Sequence, residues 1–388
     1  MDITIYPGKL NGTVAVIPSK SQAHRYLICA AFADAPTELH CPDTNRDIEA
    51  TADCLRALGA DITRTETGYT VTPIQTIPET ADLDCCESGS TLRFLLPVAG
   101  ALGVDATFHL AGRLPQRPLS PLWEEMERMG CQLARPTPDT VRCTGKLQQG
   151  AYTIDGSVSS QYISGLLFAL SLIGGSTLDI TGKVESKPYI DMTKQALTLF
   201  GAPLFRSPGT AEVEGDWSNG AFWLAAKALE NDLTVTGLSE ASPQGDRAVA
   251  DILPLLEQGT PTVSAVDIPD LVPVLAVTAA AKNGAVFTDI QRLRLKESDR
   301  VETTIAMLQA LGGNAKATEN TLTVFGTGLT GGTVDSANDH RIAMSAAIGS
   351  TVCVKPVIIL GSECIKKSYP KFWEEFNRLG GKYELYLR

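Results

Sequence analysis

Pro18-Ser19-Lys20-Ser21-Gln22-Ala23-His24-Arg25 runs directly into Tyr26-Leu27-Ile28-Cys29-Ala30-Ala31-Phe32-Ala33. The apolar run predicts a helix with Ser21 as its N-cap, since a Ser side chain there accepts from the free amides of the first turn. Lys20 and Arg25 then crowd an N-terminus, the end that carries about half a positive charge and favours Asp or Glu. Cations in that place cost stability unless an anion sits among them. The arrangement recurs in Ser88-Gly89-Ser90-Thr91-Leu92-Arg93, in Lys296-Glu297-Ser298-Asp299-Arg300 and in Asp339-His340-Arg341. A small polyanion gathered by several helix ends accounts for all four.

Outward from these starts the chain is repetitive. Helical patterns close at Leu58-Gly59, Met129-Gly130, Phe200-Gly201, Gln258-Gly259, Leu311-Gly312 and Leu379-Gly380, with Gly where a helix C-cap is expected. Successive Gly positions lie 71, 71, 58, 53 and 68 apart. A second series of helix starts, near Ser21, Gly89, Ser160, Ser218, Asp270 and Asp339, keeps nearly the same rhythm at 68, 71, 58, 52 and 69. Strand-like alternations such as Tyr69-Thr70-Val71-Thr72, Thr177-Leu178-Asp179-Ile180 and Thr321-Leu322-Thr323-Val324 fall between them. The pattern predicts an α/β fold of six repeated units, each with two helices and several short strands. Gln258 makes its copy the weakest. Three units per domain puts the boundary near Glu214-Gly215-Asp216. Packed around a common axis, the first helices would bring their N-termini to one cleft.

Composition narrows the function. The chain has 388 residues, 44% hydrophobic and 20% charged, enough for two globular domains. A net charge of −11 argues against nucleic acid as a partner, because binding the phosphate backbone needs a basic surface. Against that background the clustered cations stand out. Nine Cys without a C-x-x-C, two of them adjacent at Cys85-Cys86, read as reduced, mostly buried thiols of a cytoplasmic protein. Four scattered His offer no zinc site. Met1-Asp2-Ile3-Thr4-Ile5 has no basic or apolar leader region, and apolar runs such as Ile163 to Gly174 are too short to span a bilayer.

The polar constellations differ in what they offer. Lys20 supplies a point charge and a proton, and Arg25 a planar fork suited to phosphate or carboxylate. The turn around Gly89 could cradle an oxyanion with amides and hydroxyls, but it has neither the Walker Gly-Lys-Ser/Thr nor a dinucleotide fingerprint. Arg113-Leu114-Pro115-Gln116-Arg117-Pro118-Leu119 sets two Arg in a Pro-stiffened loop. Asp155-Gly156-Ser157-Val158-Ser159-Ser160-Gln161-Tyr162 has more hydroxyls than one cap requires, and Ser186-Lys187-Pro188-Tyr189 is a weaker version. Asp270, before Val274-Leu275-Ala276-Val277, is either a helix cap or a base for a substrate hydroxyl. Glu297 among cations would stay ionised unless burial raised its pKa. His340 reads as a structural hydrogen bonder.

Taken in order, Pro18-Ser19-Lys20-Ser21 with Arg25, Ser88-Gly89-Ser90-Thr91-Leu92-Arg93, Arg117-Pro118-Leu119, Gly156-Ser157-Val158-Ser159-Ser160-Gln161, Ser186-Lys187-Pro188-Tyr189-Ile190, Leu295-Lys296-Glu297-Ser298-Asp299-Arg300, Asp339-His340-Arg341 and Lys367-Ser368-Tyr369-Pro370 span almost the whole chain. This set resembles the 5-enolpyruvylshikimate-3-phosphate synthase family of enolpyruvyl transferases. The resemblance implies a two-domain inside-out α/β barrel, with three βαβαββ units per domain, here residues 20–214 and residues 1–19 plus 215–388. It implies transfer of the enolpyruvyl group of phosphoenolpyruvate to the 5-hydroxyl of shikimate 3-phosphate, a step toward chorismate and the aromatic amino acids. It implies no metal or organic cofactor, no nucleic-acid or membrane partner, and a monomer in the cytoplasm.

Carried over residue by residue, Lys20, Ser21, Arg25, Ser159, Ser160, Gln161, Ser186, Asp270 and Lys296 would hold shikimate 3-phosphate. Lys20, Gly89, Arg93, Arg117, Gln161, Arg300, Arg341 and Lys367 would hold phosphoenolpyruvate. Asp270, Glu297 and Lys20 would carry the protons. Two departures matter. Glu87 stands where the family commonly has Asn or a similar neutral residue, and Phe94 follows Arg93 where some members have Pro; both put glyphosate sensitivity in doubt. The related UDP-N-acetylglucosamine enolpyruvyl transferases carry Asn after the first Lys and usually a Cys in the phosphoenolpyruvate loop. Here Ser21 takes the first place, and Leu110 to Leu122 contains no Cys. A non-catalytic anion-binding protein of the same fold would not need Asp270 and Glu297 beside the cations.

Overall fold

A computed structural model describes Met1–Tyr386. The chain divides into two compact units, Pro18–Glu214 and Met1–Ile17 with Gly215–Arg388. Pro18 and Ser19 therefore pack with the helix they precede. The second unit opens with β1 (Asp2–Tyr6) and β2 (Asn11–Ala15). The Pro18–Glu214 unit then contains α1 (Lys20–Ala31), β3 (Thr37–His40), α2 (Arg46–Ala57), β4 (Asp61–Arg64), β5 (Gly68–Thr72), β6 (Thr80–Asp84), α3 (Gly89–Leu102), β7 (Asp105–His109) and α4 (Leu122–Arg128). It continues with β8 (Cys131–Ala134), β9 (Thr140–Gly145), β10 (Ala151–Asp155), α5 (Ser160–Ile173), β11 (Thr177–Thr181), α6 (Lys187–Leu199) and β12 (Thr210–Glu212). The remainder is α7 (Trp217–Ala228), β13 (Asp232–Thr236), α8 (Val249–Gln258), β14 (Thr262–Ser264), α9 (Val272–Ala281), β15 (Gly284–Thr288), α10 (Arg300–Ala310), β16 (Asn314–Ala317), β17 (Thr321–Phe325), β18 (Gly332–Asp335), α11 (His340–Ser350), β19 (Val357–Leu360), α12 (Phe372–Arg378) and β20 (Lys382–Tyr386).

Four sheets share one plan: β12-β3-β5-β4, β6-β7-β9-β8, β14-β15-β17-β16 and β18-β19-β1-β20. In each, the first two strands are parallel and the other neighbours antiparallel. A parallel pair needs a crossover, and between β6 and β7 that crossover is α3. The chain's own first strand, β1, closes the last of these sheets against β19 and β20. The remaining pairs, β10-β11 and β2-β13, stand as two-stranded parallel sheets. Of the six helix-pair repeats, four thus carry the full βαβαββ set. The third and fourth stop after their second helix, without the closing strand pair. The two short sequence spacings, 58 and 53, begin at Gly201 and Gly259, where those strand pairs are missing. Gly59, Gly130, Gly201, Gly312 and Gly380 have φ between 60° and 110°. Gly259 has φ 171°, an extended backbone open to any residue, so the copy ending at Gln258 is not a left-handed cap.

Helices lie inside each unit and sheets outside. Helices α3, α9 and α11 are buried along nearly their whole length, as helices apolar on all sides must be. Strands such as β6 alternate buried and exposed residues and turn one face to solvent. Helices α3 and α5 pack closely because Gly165 lacks a side chain; a Cβ there would lie 2.1 Å from the Arg93 carbonyl oxygen.

The caps correct one expectation. Ser19, not Ser21, caps α1, its hydroxyl accepting from the Gln22 amide. Ser88, Ser159 and Asp339 cap α3, α5 and α11, and none of these four helices has an acid in its first turn. Asp270 is not a cap, because α9 starts at Val272 and no side chain caps it. All nine Cys are free thiols, with Cys86 alone not fully buried. Among the described residues no helix is long and apolar enough to cross a membrane.

Candidate active site

In the Pro18–Glu214 unit, the starts of α1, α3 and α5 place the polar residues. Lys20 is the first residue of α1, and its Nζ lies 3.0 Å from the Asp47 Oδ2 in the first turn of α2. Asp47 escaped the sequence reading because a first-turn Asp is what any helix prefers. Arg25 is buried. Its Nε donates to Thr193 Oγ1 at 2.8 Å, Nη1 to the Ser21 carbonyl at 2.5 Å and Nη2 to the Tyr189 carbonyl at 2.8 Å. The guanidinium lies 5.0 Å from the Phe94 ring centroid, which gives the departing residue at that position a packing role. Burial lowers the Arg25 pKa to about 10, so it stays charged at neutral pH. Among the described residues no carboxylate pairs with it, although buried charges are ordinarily paired.

Gly89, Ser90, Arg93, Arg117 and Gln161 come together. Gln161 Oε1 accepts from Arg93 Nη1 at 3.2 Å, while its Nε2 donates to Ser90 Oγ at 2.9 Å. A Cβ on Gly89 would lie 2.4 Å from Arg93 Nη1 and 2.7 Å from Arg117 Nη1, so both guanidinium groups rest against its backbone. Ser159 caps α5, and Ser160 is buried in its first turn. Ser186 precedes α6 in the left-handed region at φ 54° without capping that helix. Glu87 lies against Gly112, in the loop leading to Arg113 and Arg117; a Cβ on Gly112 would meet its Oε2 at 2.3 Å.

In the other unit Arg300 is a hub. Its Nε donates to Asp339 Oδ2 at 2.8 Å, Nη1 to Asp270 Oδ1 at 2.5 Å and Nη2 to Glu297 Oε2 at 2.6 Å. Asp270 also meets Lys296 Nζ at 3.3 Å and Arg341 Nη2 at 3.8 Å. Burial alone would raise the Asp270 carboxyl, but Lys296, Arg300 and Arg341 outweigh it and hold the pKa well below 3.8. Burial lowers the Lys296 ammonium, opposed by Asp270. Arg341 Nη1 donates to the Ser218 carbonyl at 2.9 Å, and Lys367 Nζ to the Asn338 carbonyl at 2.7 Å. Asp339, whose Oδ1 caps α11 while Oδ2 binds Arg300 and Ser298, is the organising acid that sequence reasoning left among motif residues.

Asp246 was missed altogether, since nothing in Gly245-Asp246-Arg247 marks it. It is buried, and burial followed by repulsion from Asp270 pushes its pKa up to about 7. Between pH 3.8, its ordinary value, and about 7, the folded chain holds a proton there that the unfolded chain has lost. Stability therefore falls as pH rises through that window. Asp246→Asn removes this slope: its thermal midpoint drops less than wild type between pH 5 and pH 8. An unchanged difference would show that Asp246 does not titrate in this range.

The family model of EPSP synthase (3-phosphoshikimate 1-carboxyvinyltransferase) matches residues 5–376. The 3-phosphoshikimate 1-carboxyvinyltransferase of Clostridium kluyveri is 37% identical over 98% of this chain and 97% of its own length. The protein of the same name from Clostridium botulinum strain Alaska E43 is also 37% identical, over 98% and 97%. The chain belongs to the EPSP synthase family. Its fold agrees: EPSP synthase from Acinetobacter baumannii superposes with TM-score 0.78 at 21% identity over 100% of both chains. The enolpyruvyl transferase NikO from Streptomyces tendae superposes with TM-score 0.75 at 18% identity, covering 99% of this chain and 98% of its own. Like the family, the chain is a transferase of aromatic amino-acid biosynthesis that moves the enolpyruvyl group of phosphoenolpyruvate to shikimate 3-phosphate.

Proposed function

We propose that the residues gathered in the two units divide between these substrates. Ser21, Arg25, Ser159, Ser160, Ser186, Asp270 and Lys296 take shikimate 3-phosphate. Gly89, Arg93, Arg117, Arg300, Arg341 and Lys367 take phosphoenolpyruvate, with Lys20 and Gln161 touching both. The observation that carries this reading is Arg25, a buried guanidinium with no carboxylate partner among the described residues. A phosphate supplies the missing charge, and the amides at the α5 and α6 starts add donors to it.

The chemistry is addition followed by elimination. The 5-hydroxyl attacks C2 of phosphoenolpyruvate as C3 gains a proton, giving a tetrahedral intermediate. Loss of phosphate and of a C3 proton leaves the enol ether. Asp270 stays ionised among three cations and takes the hydroxyl proton. Glu297, held on Arg300, exchanges the C3 proton, and Lys20 assists at the point where charge moves. No metal or organic cofactor enters these steps, and the activity is cytoplasmic.

Purified protein mixed with both substrates, without metal, releases phosphate at a rate that depends on each. No release, or release only with a UDP-sugar acceptor, overturns the reading. Gly89→Ala tests the phosphoenolpyruvate side. Its methyl displaces the Arg93 and Arg117 guanidinium groups, so KM for phosphoenolpyruvate rises roughly tenfold, the equivalent of ~1.4 kcal/mol, while KM for shikimate 3-phosphate holds. Equal rises in both constants would mean that Gly89 does not belong to one substrate.

A further inference from the structure

A hydrogen-bonded chain of four side chains joins α1, α2 and α3 in the interior of the Pro18–Glu214 unit. His24, Thr51, Thr91 and Ser88 are each no more than 1% exposed. His24 Nδ1 meets Thr51 Oγ1 at 2.7 Å, Thr51 Oγ1 meets Thr91 Oγ1 at 2.7 Å, and Thr91 Oγ1 donates to Ser88 Oγ at 2.7 Å. Ser88 also accepts from the Thr91 amide at 3.2 Å as the cap of α3. None of the four takes part in the chemistry proposed above. A buried polar chain fixes one arrangement of the helices that carry it, because a shift of any helix leaves a group unpaired.

The chain runs in one direction. A hydroxyl has a single hydrogen. Thr91 gives its own to Ser88, with the Asp47 carbonyl a longer alternative at 3.5 Å. Thr51 therefore donates to Thr91, and only a hydrogen on His24 Nδ1 completes the bond to Thr51. His24 is thus the Nδ1–H tautomer. Burial, then the charges of Lys20 and Arg25, lower its pKa well below the usual imidazole value, so the ring stays neutral. Lys20 and His24 stand one turn apart on α1, and Asp47 and Thr51 one turn apart on α2, so each pair shares a helix face. The seam between the helices has two rungs, the Lys20–Asp47 ion pair at 3.0 Å and, one turn further along, His24–Thr51. Thr91 ties that seam to α3, whose cap Ser88 directly precedes Gly89.

We propose that Thr51 is a positioning residue for the reaction: its hydroxyl, fed from His24 and passed on through Thr91 to Ser88, holds Lys20 and the Gly89 turn at the separation that phosphoenolpyruvate requires. The role rests on the assignment of Lys20 and Gly89 to that substrate. Thr51 itself touches no substrate. At one end it acts through the rung shared with His24, next to the rung that holds Lys20. At the other it acts through Thr91 and the Ser88 cap, beside the Gly89 backbone on which the Arg93 and Arg117 guanidinium groups rest. Without the hydroxyl, His24 Nδ1–H and Thr91 Oγ1 lose their common partner, and the seam keeps only the Lys20–Asp47 rung.

Thr51→Val keeps the shape of the side chain and removes the hydroxyl, whereas Thr51→Ser keeps the hydroxyl. In Thr51→Val, KM for phosphoenolpyruvate rises roughly three- to tenfold while KM for shikimate 3-phosphate holds, and Thr51→Ser restores it. A merely structural role lowers the melting temperature and leaves both constants alone. Gly89→Ala, measured beside it, separates this role from the assignment beneath it. The same constant moving in both variants supports the positioning role, and the substrate to which that constant belongs tests the assignment. Ring nitrogen shifts of wild-type His24, read by NMR at neutral pH, need no variant to fold: Nδ1 bears the hydrogen and Nε2 is bare. An Nε2–H or doubly protonated ring overturns the proposal. So does Thr51→Val with both constants unchanged, with both changed equally, or with a different constant shifted from that in Gly89→Ala. Thr51→Ser as impaired as Thr51→Val overturns it as well.

Discussion

Arg300→Ala abolishes nearly all turnover and destabilises its unit. The guanidinium touches Asp339, Asp270 and Glu297 at once, and it is 1% exposed. Removing it leaves a fully buried carboxylate, Asp339, and two partly buried ones, Asp270 and Glu297, without their common partner, a loss of about 3–5 kcal/mol. The activity loss is of order 10³ in kcat/KM, as for other preorganised groups that stabilise developing charge. Burial lowers the Arg300 pKa, but the three acids outweigh it and raise it well above the usual guanidinium value, so it never loses its charge in the working range. Arg300→Lys keeps a charge but presents one point where a fork bound three partners, and restores only a small part of both losses. Lowering the pH narrows the stability gap between Arg300→Ala and wild type, because protonation relieves the unpaired acids in the variant. A gap that does not narrow, or a variant with near-normal kcat/KM, would count against the hub.

Lys20→Ala separates chemistry from folding. Lys20 begins α1, where its charge is unfavourable to the helix, and its ion pair with Asp47 is partly exposed. Loss of that pair changes stability by no more than about 1 kcal/mol. Turnover falls by roughly 10²–10³, since Lys20 is assigned both a substrate charge and a proton. The check is phosphate release beside a thermal melt of the same preparation. Near-normal turnover would show that Lys20 is misassigned, and a collapsed melt that its role is structural.

The repeat was legible because each copy ends a helix against a strand, and five of six ends need a residue with positive φ, for which Gly is suited. The residues around Gly89 were legible because cations at helix starts contradict the helix dipole, and such contradictions mark function. The Ser21 cap was misread because Ser19 and Ser21 both suit a cap, and the choice depends on where Pro18 leaves the backbone. Asp47, Asp246 and the organising role of Asp339 were not legible. Each is an ordinary acid in sequence, and what distinguishes it is the burial and charge imposed by distant elements.

The sequence by itself therefore determined the repeat, its two-helix content and which residues break local charge preference, because those signals are local and periodic. Tertiary structure decided which strands close each repeat. The first strand of the chain closes the last sheet, β12 opens the first, and two repeats go without a closing pair. Strand partnership is set by long-range hydrogen bonding between segments whose local patterns are alike. The same holds for the Arg300 hub, whose three acids come from α10's approach, α11's cap and the turn before α9 and share one guanidinium only after those helices pack.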